Sequence, residues 1–126
     1  PIFFQRGIFS DQRSHINLNA YAAADFGGVS RWGLPERCYG VPACGGFLLS
    51  DERRHARDDF EPGVEWADFR DMEDCVAKIR HYLAHPDESR AIAEAAHHRV
   101  MRDHTYEVRA KMLCSEIKKW RLLTNK

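Results

Sequence analysis

No apolar run in this chain approaches the roughly 18 residues that a membrane-spanning helix needs. No basic segment followed by an apolar stretch stands at its start, so no signal peptide is read there and a cytoplasmic location is expected. Charge of one sign is missing too: 19 Lys plus Arg balance 19 Asp plus Glu. A general nucleic-acid binder carries a basic excess, so nucleic acid is not an expected partner. Cys38, Cys44, Cys75 and Cys114 contain no C-x-x-C pair and no zinc-ribbon or zinc-finger spacing. They read as free thiols in a reducing compartment. His97, His98 and His104 do not make a ligand set either, because adjacent helix positions point about 100° apart; surface histidines and no metal are expected. Internal repeats, low-complexity stretches, Walker and G-x-G-x-x-G patterns and a D-x-D motif are all absent.

What is present is ordinary for a globular domain. The 126 residues are 44% hydrophobic and 30% charged, enough for one domain over residues 1–126 with its own core. The chain opens on proline, so a fragment or processed product of a longer chain is expected.

Ile2-Phe3-Phe4 reads as a buried strand, Gln12 to Ser14 as a short helix, and His15 to Asn19 as a strand by its period of two. Ala20 to Gly33 reads as a long loop with the permissive Asp25-Phe26-Gly27-Gly28. A helix is expected over Leu34 to Ala43, with Pro35 in its first turn, Pro42 distorting its last, and Gly45-Gly46 ending it. Phe47-Leu48-Leu49 then forms a strand stopped by Ser50-Asp51. The charged run Glu52 to Phe60 reads as a short, solvated surface helix. Glu61-Pro62-Gly63 is a turn, and Val64 to Phe69 a strand with Val64, Trp66 and Ala67 inward.

Three helices follow. Asp71 caps the first, with apolar stripe Val76, Ile79, Tyr82 and Leu83. Pro86 opens the second, with Ile92, Ala95, Ala96 and Val100. Thr105 caps the third, with Tyr106, Ala110, Leu113, Ile117 and Trp120. All three stripes read as core contacts. Alternating strands and helices followed by helices predict an α/β fold, a Rossmann-like parallel sheet flanked by helices with a helical C-terminal portion.

The best candidate ligand site is the start of the helix near Leu34. Helix N-termini present free N–H groups and attract phosphate. Gly33 lets a phosphate approach the backbone, Arg37 adds a charge-assisted fork, and Arg31 is a second cation. Asn17 and Asn19 end the preceding strand, within reach of a crevice at its carboxyl end. Plain alternatives stand beside each: Arg37 pairing with Glu36 or Asp51, Asn19 capping a turn, Gly45-Gly46 serving only as a helix C-cap. A flavodoxin-like signalling domain would need an acidic cluster at strand ends with a downstream lysine. Asp51 is the only carboxylate clearly at a strand end, which argues against it.

Several stretches together carry a resemblance: His15-Ile-Asn-Leu-Asn19, Arg37 through Asp51, Phe60-Glu-Pro-Gly63, Glu73-Asp74 with Lys78-Ile-Arg-His-Tyr-Leu83, and Arg102-Asp-His-Thr-Tyr-Glu107. Their order and spacing resemble the C-terminal half of the spore-maturation CgeB-type glycosyltransferases, which are similar to GT-B transferases (glycosyl transferases group 1). The resemblance covers about Gly7 to Leu113. It implies the donor-binding half of a two-domain enzyme that moves a sugar from a nucleoside diphosphate to an acceptor. It implies a nucleotide-sugar as substrate rather than a separate cofactor, and an N-terminal acceptor-binding half as partner. It places the donor diphosphate at the helix beginning near Leu34, with Arg37 as the family's arginine, Gly7 and Ile8 against the base, and Cys44-Gly45-Gly46 after the helix lining the pocket. No catalytic residue is identified, and this chain alone is not expected to turn over. One departure matters: two residues after the arginine the family has Phe-Glu, whose Glu helps hold the donor ribose, and here stand Tyr39 and Gly40. That opens an alternative, a degenerate transferase domain kept as a non-catalytic binding or interaction module.

Overall fold

The computed structural model describes residues 12–20 and 33–124. The strand expected at Ile2-Phe3-Phe4, most of the expected Ala20–Gly33 loop, and Gly7, Ile8 and Arg31 lie outside the described residues. The elements are β1 (Asn17–Asn19), α1 (Arg37–Ala43), β2 (Leu48–Asp51), α2 (Ala56–Asp59), β3 (Ala67–Phe69), α3 (Met72–Ala84), α4 (Pro86–Asp103) and α5 (Tyr106–Thr124). The strands form one parallel sheet in the order β1-β2-β3. Leu18 pairs with Leu49, and Ser50 with Asp68. The expected α/β architecture, a parallel sheet flanked by helices with a helical C-terminal part, is the observed one.

Every residue of β2 is buried, as a central parallel strand covered on both faces requires. Successive side chains of a strand point to opposite faces, and the core divides accordingly. Leu48 joins Cys38, Val41, Ala56, Phe60, Trp66 and Val100 on one face. Leu49 joins Phe47, Ala67, Phe69, Cys75 and Ala93 on the other, flanked by Ile16, Ile79, Tyr82 and Ile92. Helix α4 serves both faces, through Ala93 near its middle and Val100 near its end.

The local signals behave as their chemistry dictates. The Asp71 side chain accepts the Asp74 N–H at 2.8 Å and caps α3. Thr105 Oγ1 accepts the Val108 N–H at 3.3 Å and caps α5. Helix α1 ends in a Schellman motif: the Gly46 N–H reaches the Val41 carbonyl at 3.0 Å and the Gly45 N–H the Pro42 carbonyl at 2.9 Å. Gly45 takes φ +79° to allow it, the left-handed conformation that glycine adopts without a Cβ clash. The C-cap reading of the glycine pair is therefore the structural one.

Several expectations are corrected. The helix begins at Arg37 rather than Leu34, because Pro35 and Glu36 form the preceding turn and the Pro35 carbonyl accepts from Cys38. The expected strand over Val64–Phe69 shortens to Ala67–Phe69, and Val64 stays exposed in the turn closed by the Gly63 N–H to Trp66 carbonyl bond. The charged run holds the short helix expected of it, Ala56–Asp59, but Arg53 is buried rather than solvated, its guanidinium 2.9 Å from Asp51 Oδ2. His97 is half-buried and donates to the Pro42 carbonyl at 3.0 Å, tying α4 to α1. Val76 and Leu83 are exposed on α3, and α5 buries no residue at all. The stripe from Tyr106 to Trp120 is not a core contact among the described residues.

Candidate active site at the carboxyl edge of the sheet

The strands end at Asn19, Asp51 and Phe69, so α1 starts, α4 ends and α5 starts at that carboxyl edge. These three termini enclose an open cleft of about 410 Å³. One wall is Leu34, Glu36, Tyr39, Gly40 and Ala43; the other is Val100, Met101, His104, Thr105, Tyr106 and Arg109. In parallel α/β sheets, ligands bind outside the carboxyl ends of the strands.

A polar cluster fixes the junction of the two walls. The Tyr39 hydroxyl donates to Asp59 Oδ2, and His55 Nε2 stands 3.2 Å from the same oxygen. His104 Nε2 donates to the Asp59 carbonyl at 3.0 Å. A carbonyl only accepts, so Nε2 carries the proton and Nδ1 accepts from Arg109 at 3.2 Å. The Arg109 guanidinium also lies 4.7 Å from the Tyr39 ring centroid, a cation–π contact. Burial pushes the Tyr39 phenol well above its ordinary value, and the Asp59 carboxylate adds to the rise. Tyr39 is therefore a neutral donor and wall, not an anion. Beneath it, Phe60 stacks on Trp66 with centroids 5.3 Å apart.

Gly40 and Glu36 are the informative pair. A Cβ built on Gly40 would lie 3.0 Å from Glu36 Oε1 and 3.5 Å from Oε2. The carboxylate of Glu36 thus stands over the bare Cα of Gly40, in the space a side chain there would enter. Residues four apart share one helix face, which is why one turn of helix suffices to bring the two together.

The other expected site residues are spread out. Leu34 and Gly40 line the cleft. Arg37 is exposed in the first turn of α1 and makes no ion pair among the described residues; Asp51 pairs with Arg53 instead. Gly33 is exposed, with no atom of the described residues within 4 Å of where its Cβ would stand. Asn19 does not reach into an open crevice. It is buried, and its Nδ2 donates to Ser50 Oγ at 2.9 Å and points at Cys38 Sγ at 3.7 Å. Cys44 and Gly45 lie past the C-terminal end of α1, by the amino edge of the sheet, and the fold does not bring them to the cleft. The N–H groups of Cys38, Tyr39 and Gly40 already bond to the carbonyls of Pro35 and Glu36, so the helix start offers fewer free amides than expected.

A family model described as glycosyl transferase-like matches residues 8–115. The chain belongs to that family. No curated protein and no solved structure matches it. The matched residues of this transferase-like domain include both walls of the cleft. Sequence reasoning missed the second wall, Val100 to Arg109. In sequence its residues read only as helix stripes and a cap, and the Arg102–Glu107 stretch as part of the resemblance, not as a wall of the site. Among the described residues no helix is long and apolar enough to cross a membrane.

Proposed function

We propose that this domain is the donor-binding half of a two-domain, CgeB-type glycosyltransferase, the C-terminal half of a GT-B fold. It would hold a nucleotide-sugar while an N-terminal half of the parent chain holds the acceptor. The observation that carries this reading is the Glu36 carboxylate over Gly40, on the wall of a cleft at the carboxyl edge of the sheet. The resemblance expects a ribose-binding glutamate at position 40; Glu36 offers the same carboxylate from one turn earlier. A carboxylate accepting two hydroxyls contributes about 1.5–3 kcal/mol per bond.

In this reading Arg37 faces the diphosphate and stabilises the charge that grows on it as the sugar leaves. Arg109 supplies a second cation at the opposite wall, and Tyr39 with Tyr106 provides flat apolar surface. Leu34 and Gly33 flank the diphosphate, and Asn19 braces α1 from below through Cys38. The roles of Gly7, Ile8 and Arg31 rest on the resemblance alone.

The test is ligand-observed NMR with UDP, GDP and ADP and their sugar conjugates. Selective binding of one diphosphate is expected, weakened about tenfold or more by Glu36→Ala and by Arg37→Ala. Moving the carboxylate back, in Glu36→Ala with Gly40→Glu, should restore affinity; the Ala at 36 also removes the oxygen that a Cβ at 40 would crowd. Gly40, lacking any side-chain acceptor, favours a second reading, a non-catalytic module. Absence of binding to every nucleotide by a folded domain would support that one.

A further inference from the structure

Away from the cleft, the last turn of α3 meets the first turn of α4 across Pro86. Three side chains converge there. His81 Nε2 lies 2.7 Å from Glu88 Oε2. The His81 and His85 rings stack, with centroids 4.3 Å apart and an interplanar angle of 23°. His85 Nδ1 is 2.8 Å from the His81 carbonyl oxygen. Since that oxygen only accepts, His85 carries its proton on Nδ1 and leaves the Nε2 lone pair for a ligand. A backbone carbonyl holding the other ring nitrogen is the usual support of a metal-binding histidine. One donor atom from each of the three residues lies within 4.8 Å of the others.

We propose that His81, His85 and Glu88 form a site for a divalent transition-metal ion of the zinc class, bridging α3 and α4. Two imidazoles and one carboxylate suit zinc, whereas Ca²⁺ and Mg²⁺ take all-oxygen sets. A glutamate carboxyl is an anionic ligand at neutral pH, and the ion would take the place of the proton that His81 Nε2 holds toward Glu88 Oε2. A tetrahedral site with bonds of about 2.1 Å has ligand atoms about 3.4 Å apart. All three side chains are exposed, so rotation about their side-chain bonds can close the remaining distance. The fourth position is left to water. Because its ligands come from both sides of the Pro86 break, the ion would fasten the two helices to each other. The site is independent of the cleft and of the donor-binding reading.

The probe is Zn²⁺ alone, titrated calorimetrically into the chain carrying Cys114→Ser, since Cys114 is an exposed thiol. One equivalent should bind, and the melting temperature should rise with free Zn²⁺, as linkage requires. Glu88→Gln should weaken binding about tenfold, and His81→Ala with His85→Ala should abolish both the binding and the thermal shift. In NMR, the Hε1 signals of His81 and His85 should move first. Equal affinity in the double-histidine variant, or no Zn²⁺ binding by the folded parent chain, overturns the proposal. These side chains are exposed, and circular dichroism of each variant checks that it folds.

Discussion

Helices α4 and α5 are nearly equal in length, 18 and 19 residues, and both repeat apolar residues at three- and four-residue spacing. Helix α4 buries Ala93, Ala96 and Val100. Helix α5 leaves Tyr106 83% and Trp120 64% exposed. The difference arises in the surroundings. Helix α4 lies along α1, bonded to it through His97, and contributes to both core faces. Helix α5 is held at its beginning, by the Arg109 contacts with Tyr39, Asp59 and His104, and among the described residues its later turns meet no core. Periodicity reports that a helix has an apolar face; it does not report whether the covering surface is in the same chain.

The strongest test of this contrast is a truncation in the packed half. Phe60→Ala, in the packed half, should cost about 3–5 kcal/mol in urea unfolding, since Phe60 is 1% exposed between Tyr39 and Trp66. A small loss there would break the division into packed and unpacked regions. The caps sharpen it next. Asp71→Ala should cost about 1 kcal/mol of global stability, because α3 packs on the sheet. Thr105→Ala should instead lower hydrogen-exchange protection within α5 and leave the unfolding midpoint nearly unchanged.

Tyr39→Phe probes the hinge between the two regions. Losing the hydrogen bond to Asp59 should cost about 1 kcal/mol at neutral pH. The pH dependence has a definite sign. The folded pKa lies above the ordinary 10.0, so the folded state keeps a proton that the unfolded chain releases. The contribution is fully present below pH 10 and is lost as pH rises toward the folded value. Unfolding midpoints of the Phe variant should therefore fall less steeply above pH 10 than those of the parent. The smallest effect belongs to Trp120→Ala, within about 0.5 kcal/mol. A loss of 2 kcal/mol there would mean that α5 is packed after all.

The sequence by itself determined the elements whose causes are local. Pro86 opens α4, Asp71 and Thr105 cap their helices, and Gly45 supplies the one left-handed residue that ends α1. Alternating strands and helices fixed the class of fold, and the resemblance reached a glycosyl transferase-like family. Tertiary structure decided the rest, because burial is a property of neighbours far apart in the chain. It put Arg53 inside against Asp51 and sank Asn19 beneath α1. It carried His104 across 45 positions to Asp59, building a cleft wall that no local pattern announces. It also left α5 in solvent. The Glu36–Gly40 pair stands between these cases. Their spacing makes them neighbours on one helix face, but only the packed side-chain conformation sets the carboxylate over the glycine and turns a missing side chain into a candidate binding surface.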